Sequence, residues 1–166
     1  MITLRLATLE DAPAIQEIAE TTWPISYAGV ISPEQIRYML DLMYNQMKIT
    51  TAIRDPQQAF WLAEENGTVL GFCGIEHGYP EAGFTRIHKL YILPSTQGSG
   101  LGKILLDQVE KEARKNGNSK LHLNVNKRNK AVGFYHKQGF TTDREEVIDI
   151  GNGYVMDDFV MVKLLN

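Results

Sequence analysis

The sequence predicts an α/β fold: a mixed, mostly antiparallel central sheet flanked by helices. Strand-like and helix-like segments recur in the order strand, two helices, three strands, helix, strand, helix, two strands. Runs of adjacent strands argue against a doubly wound parallel sheet. At 166 residues, 43% of them hydrophobic, the chain is expected to form one domain, 1–166, with a core that needs no staples.

Each element has its own signal. Ile2, Leu4 and Leu6 alternate with polar residues, as in a half-buried strand. From Asp11 to Thr22, the residues Ala12, Ile15, Ile18, Ala19 and Thr22 share one helical face. Ser32-Pro33-Glu34-Gln35 starts a second helix, with serine as cap, proline at the first position and Gln35 closing a capping box. Ile36, Met39, Leu40 and Met43 continue it. Phe60–Glu64 and Val69–Glu76 read as strands joined at Glu65-Asn66-Gly67. Arg86–Leu93 is a strand halted by Pro94. Gly100–Lys115 is a helix with Leu101, Ile104, Leu105, Val109 and Ala113 as its apolar positions, stopped by Asn116-Gly117. Leu121, Leu123 and Val125 mark a strand, and Lys130–Gln138 a short helix ended by Gly139. Two final strands, near Arg144–Ile150 and Tyr154–Leu164, turn at Gly151-Asn152-Gly153.

Composition excludes several classes. A net charge of -3 argues against general nucleic-acid binding. The one cysteine, Cys73, lies in an apolar run and reads as a small buried hydrophobe. The N-terminus has no signal-peptide core, and no apolar run approaches a membrane span. A cytoplasmic protein with no membrane partner is expected. The four histidines have no paired metal-ligand spacing, so no metal is expected. Charge is uneven: residues 111–137 are mostly basic and 141–166 mostly acidic.

The chemistry concentrates in Leu90-Tyr91-Ile92-Leu93-Pro94-Ser95-Thr96-Gln97-Gly98-Ser99-Gly100-Leu101-Gly102-Lys103. A strand runs into a glycine-rich turn and then a helix. Such a turn exposes backbone N–H groups beside the positive end of the helix dipole, which suits a phosphate or pyrophosphate. The P-loop pattern fails, because Gly102 follows Gly98 by four residues and Ile104 stands where Ser or Thr belongs. The dinucleotide fingerprint fails at Lys103. A plain glycine turn without a ligand is the bland alternative.

Gln97-Gly98-Ser99-Gly100-Leu101-Gly102 matches Q/R-x-x-G-x-G/A. Downstream, Asn129-Lys130-Ala131-Val132-Gly133-Phe134-Tyr135-His136-Lys137-Gln138-Gly139-Phe140 lies close to N-x-x-A-h-x-F-Y-x-x-x-G-F. The two segments, in this order and at this separation, resemble the GNAT superfamily of acyl-CoA-dependent N-acetyltransferases, most specifically over residues 60–140. The resemblance implies acetyl-CoA as cofactor. It implies that Leu90, Tyr91 and Ile92 offer strand backbone to the pantetheine arm. Gln97, Gly98, Ser99, Gly100, Leu101, Gly102 and Lys103 would form the pyrophosphate loop. Asn129 would contact the pantetheine arm, Tyr135 would stand near the thioester sulfur, and Lys137 would add a basic contact.

The reaction needs an amine that has lost its proton, a donor for the developing oxyanion and an acid for the leaving thiolate. Tyr135 is the expected general acid. Many relatives carry an acid near the start of the strand before the loop, where this chain has Arg86. Glu76 or His88 is the expected base instead. The first helices and last hairpin usually frame the acceptor, so Trp23, Tyr27, Tyr38, Tyr44, Tyr154, Asp157 and Asp158 are candidate groove residues. Aromatic walls and acids favour a cationic amine. Thr22–Tyr27 and Val155–Met161 are loosely similar to bacterial polyamine acetyltransferases. The expected partner is a small-molecule or protein primary amine. Dimerisation is common in the family, so a homodimer is expected. The alternative functions are an acyl-CoA sensor without turnover and a nucleotide-binding regulator.

Overall fold

The computed structural model describes residues Met1–Asn166. Its elements are β1 (Thr3–Leu6), α1 (Ala12–Ser26), α2 (Pro33–Met43), α3 (Gln46–Arg54), β2 (Gln58–Glu65), β3 (Thr68–His77), β4 (Phe84–Ile92), α4 (Leu101–Lys115), β5 (Lys120–Asn126), α5 (Ala131–Lys137), β6 (Thr141–Gly151) and β7 (Tyr154–Leu164). The expected order holds with one addition: α3 is a third helix before β2. Asn45 caps it by accepting from the Lys48 N–H at 2.9 Å, and it buries Ile49 and Ala52.

The seven strands form one sheet in the order β1-β2-β3-β4-β5-β7-β6. Only the β4–β5 pair is parallel; every other pair is antiparallel, as the strand runs predict. Helices α1–α3 cover one face, where Trp23, Tyr44 and Ile49 pack on Phe60, Leu62 and Phe72. Helices α4 and α5 cover the other, where Leu105, Leu106 and Val109 pack with Cys73, Ile75, Leu121 and Leu123. We call these the front and back faces. All five predicted α1 positions are buried, and Cys73 is a free, fully buried thiol, as expected. Ile104 is instead on the exposed side of α4, and Leu106 is buried in its turn.

Two local departures have clear causes. The Ser32 hydroxyl accepts from the Gln35 N–H at 3.1 Å, but the Gln35 side chain does not complete the capping box. Its amide donates to the Val155 carbonyl at 2.9 Å and so ties α2 to β7. In β4 the register steps from Gly74↔Lys89 to Ile75↔Ile87, leaving His88 as a bulged residue. A bulge bends its strand and raises the local twist. Beyond it, β4 and β5 part: their pairing covers only Phe84↔Lys120 through Ile87↔Leu123. A notch opens between the end of β4 and the end of β5.

The short edge strand β1 is pinned by charge. Arg5 donates to both Asp11 oxygens at 2.9 Å, and its Nε lies 3.1 Å from Glu64. The Arg5 guanidinium holds the Asp11 carboxyl down to about 2. A depressed carboxyl stabilises the fold above its unfolded value and loses that contribution as pH falls through the folded one. Asp11→Asn should therefore lower stability at pH 7 by about 1 kcal/mol, a figure reduced for solvent screening of the partly exposed arginine. The difference from the parent should vanish between pH 4 and pH 2 in thermal melts, by about the width of that titration. A constant difference over that range would discount the pair.

Candidate active site

The notch is built from three pieces. The first is the end of β4. Tyr91 turns its ring to the front, against Trp23, Tyr27, Tyr44 and Phe72. Leu90 and Ile92 turn to the back-face core. Alternate side chains are thus committed to both cores. What remains free is the strand's backbone edge facing the notch, because β5 has already diverged.

The second piece is the turn from β4 into α4. Gly100 precedes the helix with φ 83° and ψ 6°, a left-handed conformation that side chains with a Cβ rarely take. Gly102 serves a different need. A Cβ there would lie 3.1 Å from the Phe134 ring and 3.2 Å from Ile92 Cδ1, so glycine lets the first turn of α4 sit against α5 and β4. The backbone N–H groups of Gly98, Gly100, Leu101, Gly102 and Lys103 have no acceptor in the protein. No acid stands in the first turn of α4 to compete for them. These donors, at the positive end of a four-turn helix, suit a pyrophosphate. Gln97 and Ser99 are exposed, and Lys103 is held by Asp107 at 2.9 Å. Lys137 is also exposed and makes no ion pair.

The third piece is the segment from β5 through α5. The Asn129 side chain accepts from the Ala131 N–H at 2.9 Å and so orders the start of α5. Tyr135 is buried between Phe134 and Phe140, with centroids at 5.3 and 5.5 Å. Its hydroxyl makes no hydrogen bond within the protein. Burial pushes that phenol well above its ordinary value, so it stays protonated throughout the neutral range.

The base candidates Glu76 and His88 are brought together on the front face. Arg86 Nε donates to His88 Nδ1 at 3.2 Å, which leaves the proton on Nε2, 2.8 Å from Glu76 Oε1. Burial, opposed by Glu76 and aided by the Arg86 charge, lowers the His88 pKa. Both ring nitrogens are therefore engaged. Arg86 also donates to His122 Nδ1 at 3.0 Å and Asn124 Oδ1 at 2.9 Å. The Asn124 amide then donates to Asp158 Oδ2 at 3.4 Å. This chain of contacts was not visible in the sequence, because it joins three strands that are distant along the chain.

The groove candidates divide. Trp23 and Tyr44 are 1% and 0% exposed and belong to the front core, not to an open wall. Tyr27 is buried with its hydroxyl 3.4 Å from that of Tyr91. The Tyr154 ring packs at a tilt against Tyr38 with centroids 5.3 Å apart, and Tyr38 donates to the Ile150 carbonyl, joining the last hairpin to α2. Asp157 needs correction. It is exposed and ion-paired with Lys127 at 2.8 Å, on the sheet face opposite Asn124. Its neighbour Asp158 is the buried acid. Lys127 also contacts Glu145, so the basic and acidic stretches partly neutralise one another. No cluster of three metal-ligating side chains occurs, and no helix is long and apolar enough to cross a membrane.

Comparison with known proteins agrees with this geometry. The chain is 29% identical over 162 residues to a spermidine N(1)-acetyltransferase of Thermoplasma acidophilum, covering 94% of this chain and 96% of the relative. It is 27% identical over 158 residues to an uncharacterised N-acetyltransferase of Mycobacterium tuberculosis, covering 95% and 99%. The crystal structure of the PaiA N-acetyltransferase of Thermoplasma acidophilum in complex with coenzyme A superposes with a TM-score of 0.85 at 28% identity, covering 99% of both chains. The acetyltransferase (GNAT) family model matches residues 12–140. With the notch, the glycine turn and the sheet order all in place, the chain belongs to the GNAT family of acetyltransferases.

Proposed function

We propose that this protein transfers the acetyl group of acetyl-CoA to a primary amine, with a polyamine as the favoured acceptor. The observation that carries the reading is the set of unpartnered N–H groups of Gly98, Gly100, Leu101, Gly102 and Lys103, beside the free backbone edge of β4. The coenzyme-bound Thermoplasma relative supports the donor. The relative named for spermidine, and the acids Glu76, Glu146 and Asp158 on the front side of the sheet, support a cationic acceptor.

Bound acetyl-CoA supplies an activated thioester. The N–H groups of Gly98, Gly100, Leu101, Gly102 and Lys103 hold its pyrophosphate. The edges of Leu90, Tyr91 and Ile92 align the arm, with Asn129 on the opposite side of the notch. A β4 backbone N–H stabilises the oxyanion. Tyr135 keeps its proton for the leaving sulfur. Glu76 and His88, the base candidates on the front face, are engaged with each other and with Arg86.

The test is thiol release from acetyl-CoA across spermidine, spermine, aminoglycosides, amino acids and lysine peptides. Release with polyamines and not with peptides is the expected result. Tight acetyl-CoA binding with no release from any amine would favour the acyl-CoA sensor.

A further inference from the structure

We propose that Asp158 is the carboxylate that receives the acceptor amine's ammonium group and accepts its proton before attack. This inference rests on the acetyltransferase reading and names a catalytic residue within that site.

Asp158 is 5% exposed, yet its Oδ1 is buried with no hydrogen-bond partner. Its Oδ2 has only the long contact from Asn124. No other carboxylate of the protein has a buried oxygen left without a partner. Burying an unpaired anionic oxygen is costly unless something outside the chain completes it. An ammonium group is the simplest complement: it offers N–H donors and cancels the charge.

The surroundings fit a cation. Asp158 lies on β7, opposite Asn126 on β5 and Glu146 on β6. The charged and titratable groups that act on it are Arg86 from β4, Glu146 from β6 and, from the other sheet face, its neighbour Asp157; Asp158 in turn acts on the Tyr27 hydroxyl at the end of α1, while His122 lies farther along β5 beyond Asn124. The one cation among them, Arg86, is already spent on His88, His122 and Asn124. His122 is held neutral, its pKa lowered to about 4 by burial and by Arg86. Glu76 and His88 are satisfied by each other and by Arg86, whereas Asp158 has spare capacity.

The placement also suits the reaction. The charge on Asp158 is felt by the Tyr27 hydroxyl, which touches Tyr91 on the strand that borders the notch. Burial, assisted by Glu146 and opposed by Asn124 and Arg86, raises the Asp158 carboxyl to about 6. That makes it a better proton acceptor than an ordinary carboxylate while leaving it ionised at neutral pH. The proton balance is simple. One proton passes from the ammonium to Asp158, and the freed nitrogen bonds to the thioester carbon. The carbon–sulfur bond breaks and the sulfur takes the Tyr135 proton. The second nitrogen proton returns to Tyr135, and Asp158 releases its proton to water.

The experiment compares Asp158→Asn and Asp158→Glu with the parent protein. Asp158→Asn should bind acetyl-CoA with unchanged affinity by calorimetry, and its kcat/KM for spermidine should fall by roughly 100-fold or more. The parent's kcat/KM should fall below about pH 6, and this acid limb should be absent from the residual Asp158→Asn activity. Asp158→Glu should restore part of the turnover together with the limb. A readout on the free protein is independent of turnover. A raised carboxyl pKa means stability is lost as pH rises through it, so Asp158→Asn should melt above the parent at pH 8, with the gap shrinking towards pH 4. Unchanged turnover and an unchanged acid limb in Asp158→Asn would overturn the proposal, as would a melting gap independent of pH. Loss of acetyl-CoA binding in the parent itself would overturn the acetyltransferase reading and this inference with it.

Discussion

Gly100→Val should weaken acetyl-CoA binding by 100-fold or more, roughly the loss of two hydrogen bonds to charged phosphate oxygens at ~1.5–3 kcal/mol each. Two effects combine at this position. Valine resists the left-handed backbone that Gly100 adopts at φ 83°, so the turn must rearrange and its N–H groups lose their common aim. The new side chain also projects where no protein atom lies within 4 Å, into the space beside the donors. Gly117→Val is the control. Gly117 sits past the other end of α4 with φ 77° and equally open surroundings. Both variants should lose similar stability, and only Gly100→Val should lose affinity. Equal affinity in the two variants, read by calorimetry, would remove the glycine turn from cofactor binding.

Tyr135→Phe should lower kcat by about 10²–10⁴-fold while leaving the KM for acetyl-CoA nearly unchanged. The substitution deletes one hydroxyl and keeps the ring that packs between Phe134 and Phe140. Folding stability should therefore move by less than about 1 kcal/mol, because no protein hydrogen bond is lost. A rise in KM with kcat intact would recast Tyr135 as a binding residue. Full activity would leave the leaving sulfur to take its proton from water.

The layout of the sheet and the glycine turn were legible because their signals are local. Alternation sets β1 and β5, and the glycines at 98, 100 and 102 follow one another within a single turn. The helix α3 had a signal too, in Asn45 and the spacing of Ile49, Ala52 and Ile53, but its nine residues carry few apolar positions. The acceptor side was harder for a physical reason. Strand β7 carries apolar residues at both alternating sets of positions, such as Val155, Met156, Phe159, Val160 and Met161, so its pattern does not tell which of two adjacent aspartates is buried. Asp157 and Asp158 differ by one step, and one step on a strand exchanges faces. The Arg86 network depends on register across β3, β4 and β5, and on the bulge at His88, neither of which has a sequence signature here.

The short seam between β4 and β5 gives the sheet the character of a hinged book. Its two leaves, β1–β4 and β5–β7, share just the residue pairs from Phe84↔Lys120 to Ile87↔Leu123. On the back, α4 and its core act as the binding. On the front, Met156 is the one buried side chain from the second leaf in the core that α1–α3 cover. A ligand held in the notch would touch both leaves, and its binding would add to their cohesion.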